Sequence, residues 1–190
     1  MLSKLKFILI FLFVFSFLFG NDLEFFREDL NFKIKDNYFY VDGIYFFKNQ
    51  TSKKIKRVLY YPFPTDSIFG TVDSIKAICL KDSLNKILNS KPNGFLFCVE
   101  IESKHIGKYN LCYRQKLLSN KAEYILTTTQ LWQKPFEEVN YQLIIPQYIK
   151  IDSLSYLPDN VKTVENKCIF YWHKENFMPS KNMIILLNRN

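Results

Sequence analysis

The side chains of this 190-residue sequence that are candidates for chemistry are two carboxylate pairs, Glu100/Glu102 and Glu137/Glu138, two histidines and four cysteines. Glu100 and Glu102 share one face of a predicted strand, where a glycosidase could use two acids. Lys108 is expected to oppose Glu102, however, and this favours an ordinary salt-bridged surface. His105 and His173 lack the close clustering that a zinc site needs. The chain has no Cys-x-x-Cys, His-Glu-x-x-His or Gly-x-Ser-x-Gly motif, so it predicts no catalytic residue, no metal and no cofactor.

The segment from Phe95 to Lys116 predicts a β-hairpin with its turn centred on His105, because apolar residues alternate along both of its halves. In this register Cys98 lies opposite Cys112, at a Cα separation of about 5 Å that a disulfide can bridge. Two neighbouring free thiols are the alternative. The register also opposes three apolar or aromatic pairs and one pair of opposite charges: Phe97 with Tyr113, Val99 with Leu111, Ile101 with Tyr109, and Glu102 with Lys108.

Cys79 and Cys168 are the two cysteines that the hairpin leaves over. In an exported chain they form a second, weaker disulfide prediction. Each alternates with apolar neighbours, so both could equally be buried free thiols. Trp132 is the candidate for partner binding, since an aromatic ring at the rim of a sandwich can hold a sugar or a peptide. The alternative is that its ring closes the open end of the core.

The N-terminus has the pattern of an export signal. Lys4 and Lys6 precede an almost wholly apolar run from Phe7 to Phe19, which is shorter than the ~20 residues of a spanning helix. We therefore predict a signal peptide over residues 1–20, with an uncleaved anchor helix as the alternative. Residues 21–31 are predicted to form a linker or a short helix.

Residues 32–190 alternate in the period of β-strands, with Pro, Gly and Asn between the segments. About ten such segments, with no long helical pattern between them, predict an all-β domain. We expect an antiparallel, immunoglobulin-like β-sandwich of about 8–10 strands. The net charge of +8 comes almost entirely from lysine, and because the basic residues form only short clusters we do not expect nucleic-acid binding.

Two segments resemble exported β-sandwich proteins of an uncharacterised bacterial family. One is VDGIYFFKNQTSKKIKRVLYYPFPTDSIFGTVDSI, from Val41 to Ile75, and the other is YILTTTQLWQKPFEEVNYQLIIP, from Tyr124 to Pro146. The resemblance covers under a third of the chain and implies a sandwich outside the cytoplasm. It implies no catalytic residue.

These patterns favour an exported, non-enzymatic module located in the periplasm, at the cell surface or outside the cell. Its expected partner is a protein or a glycan of the cell envelope, and it would touch the membrane only through an uncleaved N-terminal segment. Two alternatives are a secreted hydrolase or thiol enzyme with an unrecognised site, and a basic surface that binds anionic envelope polymers.

Overall fold

The computed structural model describes residues 22–188, and this part of the chain forms thirteen strands and one 3-10 helix. The predicted signal peptide or anchor, residues 1–20, lies outside the described residues. Within residues 22–188 no helix has the length and apolarity to cross a membrane. The elements are β1 (Leu23–Lys35), β2 (Tyr38–Asn49), β3 (Ile55–Pro62), β4 (Phe69–Cys79), β5 (Ile87–Lys91), β6 (Gly94–Ile101), β7 (Ile106–Leu117), β8 (Lys121–Tyr124), the 3-10 helix (Thr127–Trp132), β9 (Phe136–Pro146), β10 (Lys150–Leu154), β11 (Asn160–Val164), β12 (Lys167–Phe177) and β13 (Met183–Asn188).

The strands form three sheets. Seven of them make a large sheet in the order β11-β12-β9-β1-β2-β7-β4, with β1 at its centre. Two smaller sheets have three strands each, in the orders β3-β6-β5 and β10-β13-β8; we call them the β3 sheet and the β13 sheet. Most neighbours are antiparallel, but β1 and β9 run parallel. The domain is therefore all-β with a mixed large sheet.

Both small sheets pack on the same face of the large sheet and together make the second layer. Tyr61 of the β3 sheet contacts Tyr45, with ring centroids 5.7 Å apart. Tyr124 of the β13 sheet contacts Phe32 at 5.4 Å. Because β3 and β8 are both edge strands, the second layer is divided, and only side chains fill the space between its halves. One hydrophobic core extends beneath both small sheets.

The all-β prediction is confirmed, but the large sheet is mixed and not wholly antiparallel. An immunoglobulin-like sandwich has two antiparallel sheets with seven to nine strands in all. The part of the chain that the structure describes has thirteen strands, a parallel pair and a divided second layer. Alternation predicts where strands lie, but it does not specify which strands become neighbours.

The predicted linker or short helix at residues 21–31 was also wrong, because β1 begins at Leu23. Leu23 and Phe25 point into the core, and a β-bulge between Phe25 and Arg27 then shifts the alternation by one residue. Beyond the bulge Leu30, Phe32 and Ile34 point into the core. The segment is therefore an extended strand interrupted by a bulge.

The predicted hairpin from Phe95 to Lys116 does not form, because β6 belongs to the β3 sheet and β7 to the large sheet. The apolar pairing that suggested it is nevertheless present in another form. Phe97 and Tyr109 meet across the core, with ring centroids 6.4 Å apart, and not side by side in a ladder. Two strands can bury their apolar residues either as neighbours in one sheet or by packing across two layers.

The predicted disulfide between Cys98 and Cys112 was wrong for the same reason. Cys98 aligns with Val58 in one layer and Cys112 with Asp42 in the other, and both sulfurs are free thiols. Their side chains lie on the faces of β6 and β7 that point away from the shared core.

The weaker pair, Cys79 with Cys168, is not formed either. Cys79 ends β4 at one edge of the large sheet, and Cys168 lies in β12 near the other edge. Five strand spacings separate them, about 24 Å, which is several times the distance that a disulfide spans.

Candidate functional site

A cavity of about 550 Å³ lies where the second layer is divided. Its floor is the centre of the large sheet, where β1 and β2 contribute Phe25, Tyr45 and Phe47. One wall comes from β3 and β6. The other wall is the end of β8 and the 3-10 helix that follows it. The cavity exists because the two small sheets do not join edge to edge.

Eight of the eighteen residues that line the cavity are aromatic. Phe25 stacks on Phe47 with ring centroids 4.9 Å apart, and Phe97 lies 6.4 Å from Phe47. Tyr45 and Tyr61 meet edge to face on the side towards β3. Apart from Glu28, Thr128, Thr129 and the tyrosine hydroxyls, the lining side chains are apolar or aromatic, so the interior favours an apolar body of similar size.

Trp132 is part of this lining. It is the last residue of the 3-10 helix, and its half-buried ring lies 5.8 Å from Phe25 and 6.0 Å from Phe47. The ring therefore packs against the core and also borders the cavity. The two interpretations of Trp132 drawn from the sequence are compatible at this position; whether it contacts a ligand stays a prediction.

The one acidic residue of the cavity lining is Glu28, which is only 2% exposed. The bulge in β1 places it on the inner face, since without the shift of alternation Arg27 and Asp29 would point inward. Bulges commonly redirect a side chain in this way. The sequence EFFREDLNF therefore conceals an inward-facing acid, because regular alternation assigns Glu28 to the outer face.

Four tyrosine hydroxyls connect to the Glu28 carboxylate. Tyr141 donates to Oε1 at 2.5 Å and Tyr124 donates to Oε2 at 3.3 Å. Tyr45 lies 2.8 Å from the Tyr124 hydroxyl and 2.7 Å from the Tyr61 hydroxyl. A hydroxyl has one proton to donate, so while Glu28 is ionised the chain runs from Tyr61 to Tyr45, to Tyr124 and to Glu28.

Burial raises the pKa of Glu28 to about 7, and the hydrogen bonds from Tyr141 and Tyr124 oppose this rise. The negative charge of the adjacent Asp29 raises the pKa further. No Lys, Arg or His forms an ion pair with Glu28 within residues 22–188. Burial also raises the pKa of all four tyrosines well above 10, so they remain neutral donors. Glu28 is thus a buried acid with neutral partners, which titrates near neutral pH.

The other candidates from the sequence lie outside this cavity. Lys54, and not the expected Lys108, pairs with both Glu100 and Glu102. His105 is exposed, and its Nδ1 lies 2.7 Å from the backbone oxygen of Ser103. These acids form the salt-bridged surface that the sequence favoured.

His173 lies on the outer face of the large sheet, where its Nδ1 is 2.8 Å from Oδ1 of Asn140. Among the residues that the structure describes, no group of three or more His, Cys, Asp or Glu side chains is placed to hold a metal ion. The histidines therefore belong to surface networks.

No protein-family model matches the chain, and no curated protein is significantly similar to it in sequence. Its fold is similar to that of a proposed nutrient binding protein from Legionella pneumophila, with a TM-score of 0.71 and 11% identity over 87% of this chain and 67% of that protein. An M1 zinc metallopeptidase from Deinococcus radiodurans is more distant, with a TM-score of 0.54 and 8% identity over 88% of this chain and 43% of the peptidase. This chain spans less than half of the peptidase, and at such identities the likeness shows the fold alone.

Proposed function

We propose that the protein is a non-enzymatic binding module whose inter-sheet cavity holds one small, mainly apolar ligand. The observation that carries the proposal is the combination of a partly open cavity of about 550 Å³, rich in aromatic side chains, with a single buried acid on its wall. Ligand sites of this size are usually apolar, with a few polar groups that fix orientation. The proposed role of the Legionella pneumophila protein, nutrient binding, supports a binding function over a structural one.

Export to the cell envelope is part of the same proposal. It depends on the basic and apolar pattern of residues 4–20. The free cysteines neither require nor oppose an oxidising compartment. A ligand-binding module outside the cytoplasm would take its ligand from the surroundings of the cell.

The test is a titration with N-phenyl-1-naphthylamine, a neutral apolar dye that becomes fluorescent when it leaves water. The wild-type protein should bind about one dye per chain and lose Trp132 fluorescence as the dye enters. Since the chain has two tryptophans, a Trp172→Phe background assigns the quenching to Trp132.

Thr128→Phe fills the cavity and should weaken dye binding by about tenfold or more, because a phenyl ring occupies ligand space. Thr163→Phe is the matched control, an exposed threonine on β11 far from the cavity. Equal dye affinity in both variants, with melting temperatures close to that of the wild type, would contradict the proposal.

A further inference from the structure

We infer that the ligand carries a protonated amine, which pairs with the carboxylate of Glu28 while its apolar body fills the aromatic cavity. This inference rests on the proposed function and adds the chemical class of the ligand. It starts from a carboxylate that is 2% exposed and has no cationic partner in the described part of the chain. Buried charges in proteins are normally paired with an opposite charge, so the site lacks the component that an ammonium group would supply.

The hydrogen bonds around Glu28 leave room for such a group. An ionised carboxylate can accept about four hydrogen bonds. Tyr141 and Tyr124 provide two of them, one to each oxygen. Both oxygens therefore keep acceptor capacity, and an ammonium group, which donates up to three hydrogen bonds, can use it.

The cavity lining also suits a cation attached to an apolar body. Tyr45 and Tyr61 belong to the hydrogen-bond network of Glu28 and also line the cavity. An ammonium group is attracted to aromatic faces as well as to a carboxylate. Phe47, Phe97 and Trp132 give the body aromatic surface to pack against.

Other ligand classes fit the site less well. A carboxylate or phosphate ligand would bring a second negative charge to an acid that burial already disfavours. A sugar needs many hydrogen-bond partners, and most of this lining is apolar. A neutral apolar ligand would fill the space but leave the carboxylate without a counter-charge.

Glu28 is the group that titrates in this site between about pH 5 and pH 9. The groups that face it from the packed strands are Tyr45 on β2, Tyr124 on β8 and Tyr141 on β9, and Tyr61 on β3 joins them through Tyr45. All four are tyrosines that stay protonated in this range. On its own strand the adjacent Asp29 points to the opposite face and is paired with Arg27. Amine binding must therefore displace the proton of Glu28 where Glu28 is protonated.

The experiment compares three probes of one shape: 4-phenylbutylamine, 4-phenylbutanol and 4-phenylbutanoate. At about pH 8.5 the wild type should bind the amine about tenfold or more tightly than the alcohol, and the carboxylate most weakly, as expected for a hydrogen-bonded charge pair. Glu28→Gln should remove the preference for the amine over the alcohol.

Calorimetry in buffers of different ionisation enthalpy gives a second readout that needs no variant. Since the pKa of Glu28 is about 7, amine binding should release close to one proton per chain near pH 6 and almost none near pH 8.5. The affinity for the amine should be about tenfold lower near pH 6 than near pH 8.5, whereas the affinity for the alcohol should be the same at both pH values.

The outcomes separate the two proposals. If none of the three probes binds, and N-phenyl-1-naphthylamine does not bind either, the cavity is not a ligand site and both proposals fail. If the alcohol binds as tightly as the amine and no proton is released near pH 6, the proposed function stands and the amine inference fails. If Glu28→Gln does not fold, proton release by the wild type still decides the question.

Discussion

Glu28 is one residue whose charge the core must accommodate, and the protein does so with hydroxyl groups. Tyr141 and Tyr124 donate to the carboxylate, and Tyr45 and Tyr61 extend the chain of donors. Hydroxyl donors stabilise the ionised form only partly, so the pKa of Glu28 remains raised, at about 7. A tyrosine-lined acid thus stays available for a cation that enters from outside.

The raised pKa of Glu28 makes the stability of the unliganded protein depend on pH. In the folded state the pKa of Glu28 is about 7, against 4.5 for an unperturbed glutamate, so between these pH values the folded state binds the proton more tightly. The free energy of unfolding should therefore decrease as pH rises from about 4.5 to 7, by a total of about 3 kcal/mol from this group, and this contribution should be constant above pH 8.

Urea unfolding at a series of pH values measures this slope, and Glu28→Gln is its control. The variant has no titrating group at position 28, so the difference in unfolding free energy between it and the wild type should change across this pH range. A pH-independent difference would contradict the assignment of a raised pKa to Glu28.

Two tyrosines of the core provide a matched pair of hydroxyl deletions. Tyr141→Phe removes a donor to an ionised carboxylate and should cost about 2 kcal/mol near pH 8.5. Tyr113→Phe removes a buried hydroxyl that has no hydrogen-bond partner among the described residues, and should change stability by less than about 0.5 kcal/mol or increase it.

Thermal melts of both variants check this prediction. Near pH 5, where Glu28 is protonated, the cost of Tyr141→Phe should be smaller than near pH 8.5. Equal costs for the two deletions at both pH values would contradict the proposed role of Tyr141.

At the scale of strands, the alternation of apolar residues predicted the positions of strands better than it predicted which strands are neighbours. In β9, for example, Val139, Tyr141, Leu143 and Ile145 occupy alternate positions, and all four side chains are buried. The strands around Cys98 and Cys112 exist as well. Their partners are different because an apolar strand face can be covered by a neighbour in the same sheet or by the opposite layer.

The bulge in β1 explains why the key acid could not be found from the sequence. A bulge adds one residue to one strand, and its position depends on the partner strand as much as on local residues. Nothing in the segment from Leu23 to Asn31 distinguishes Glu28, on the inner face, from Asp29, on the outer face. The partner β2 makes the difference, because it pairs with β1 on both sides of the extra residue.

The placement of the four cysteines on separate strands predicts that reduction does not affect the protein. We expect the same melting temperature with and without dithiothreitol, because all four thiols are free. After unfolding without reductant, mass spectrometry should find four alkylated thiols per chain. Two or fewer alkylated thiols would show a disulfide and contradict the strand arrangement described here.

In the folded protein Cys112 should react slowly, since burial and the nearby Asp42 raise its pKa to about 12. Alkylation of the folded protein near pH 8 would measure this. Rapid labelling of Cys112, identified by peptide mapping, would contradict the raised pKa.

At the scale of the whole molecule, the divided second layer creates the candidate site. A continuous six-stranded second layer would close over Glu28 with backbone and side chains. Two three-stranded sheets leave a space, and residues far apart in the sequence line it: Phe25, Tyr61, Tyr124 and Trp132. No local motif encodes such a site, so Trp132 alone attracted notice in the sequence, and only as an aromatic at a strand end.

The similarity to parts of two larger proteins indicates that this fold occurs in more than one kind of protein. The Legionella pneumophila protein and the Deinococcus radiodurans peptidase share the fold at 11% and 8% identity. Fold alone does not transfer an activity. What belongs to this chain is the set of side chains that surrounds the cavity.

The most direct test of the account is a crystal structure of the protein soaked with 4-(4-bromophenyl)butylamine, in which the anomalous signal locates the bromine. We predict a bromine peak inside the cavity, beside Phe47, Phe97 and Trp132, with the amine nitrogen within hydrogen-bond distance of the Glu28 carboxylate. A bromine peak at the protein surface, or a fully occupied ligand in the cavity whose amine points away from Glu28, would contradict it.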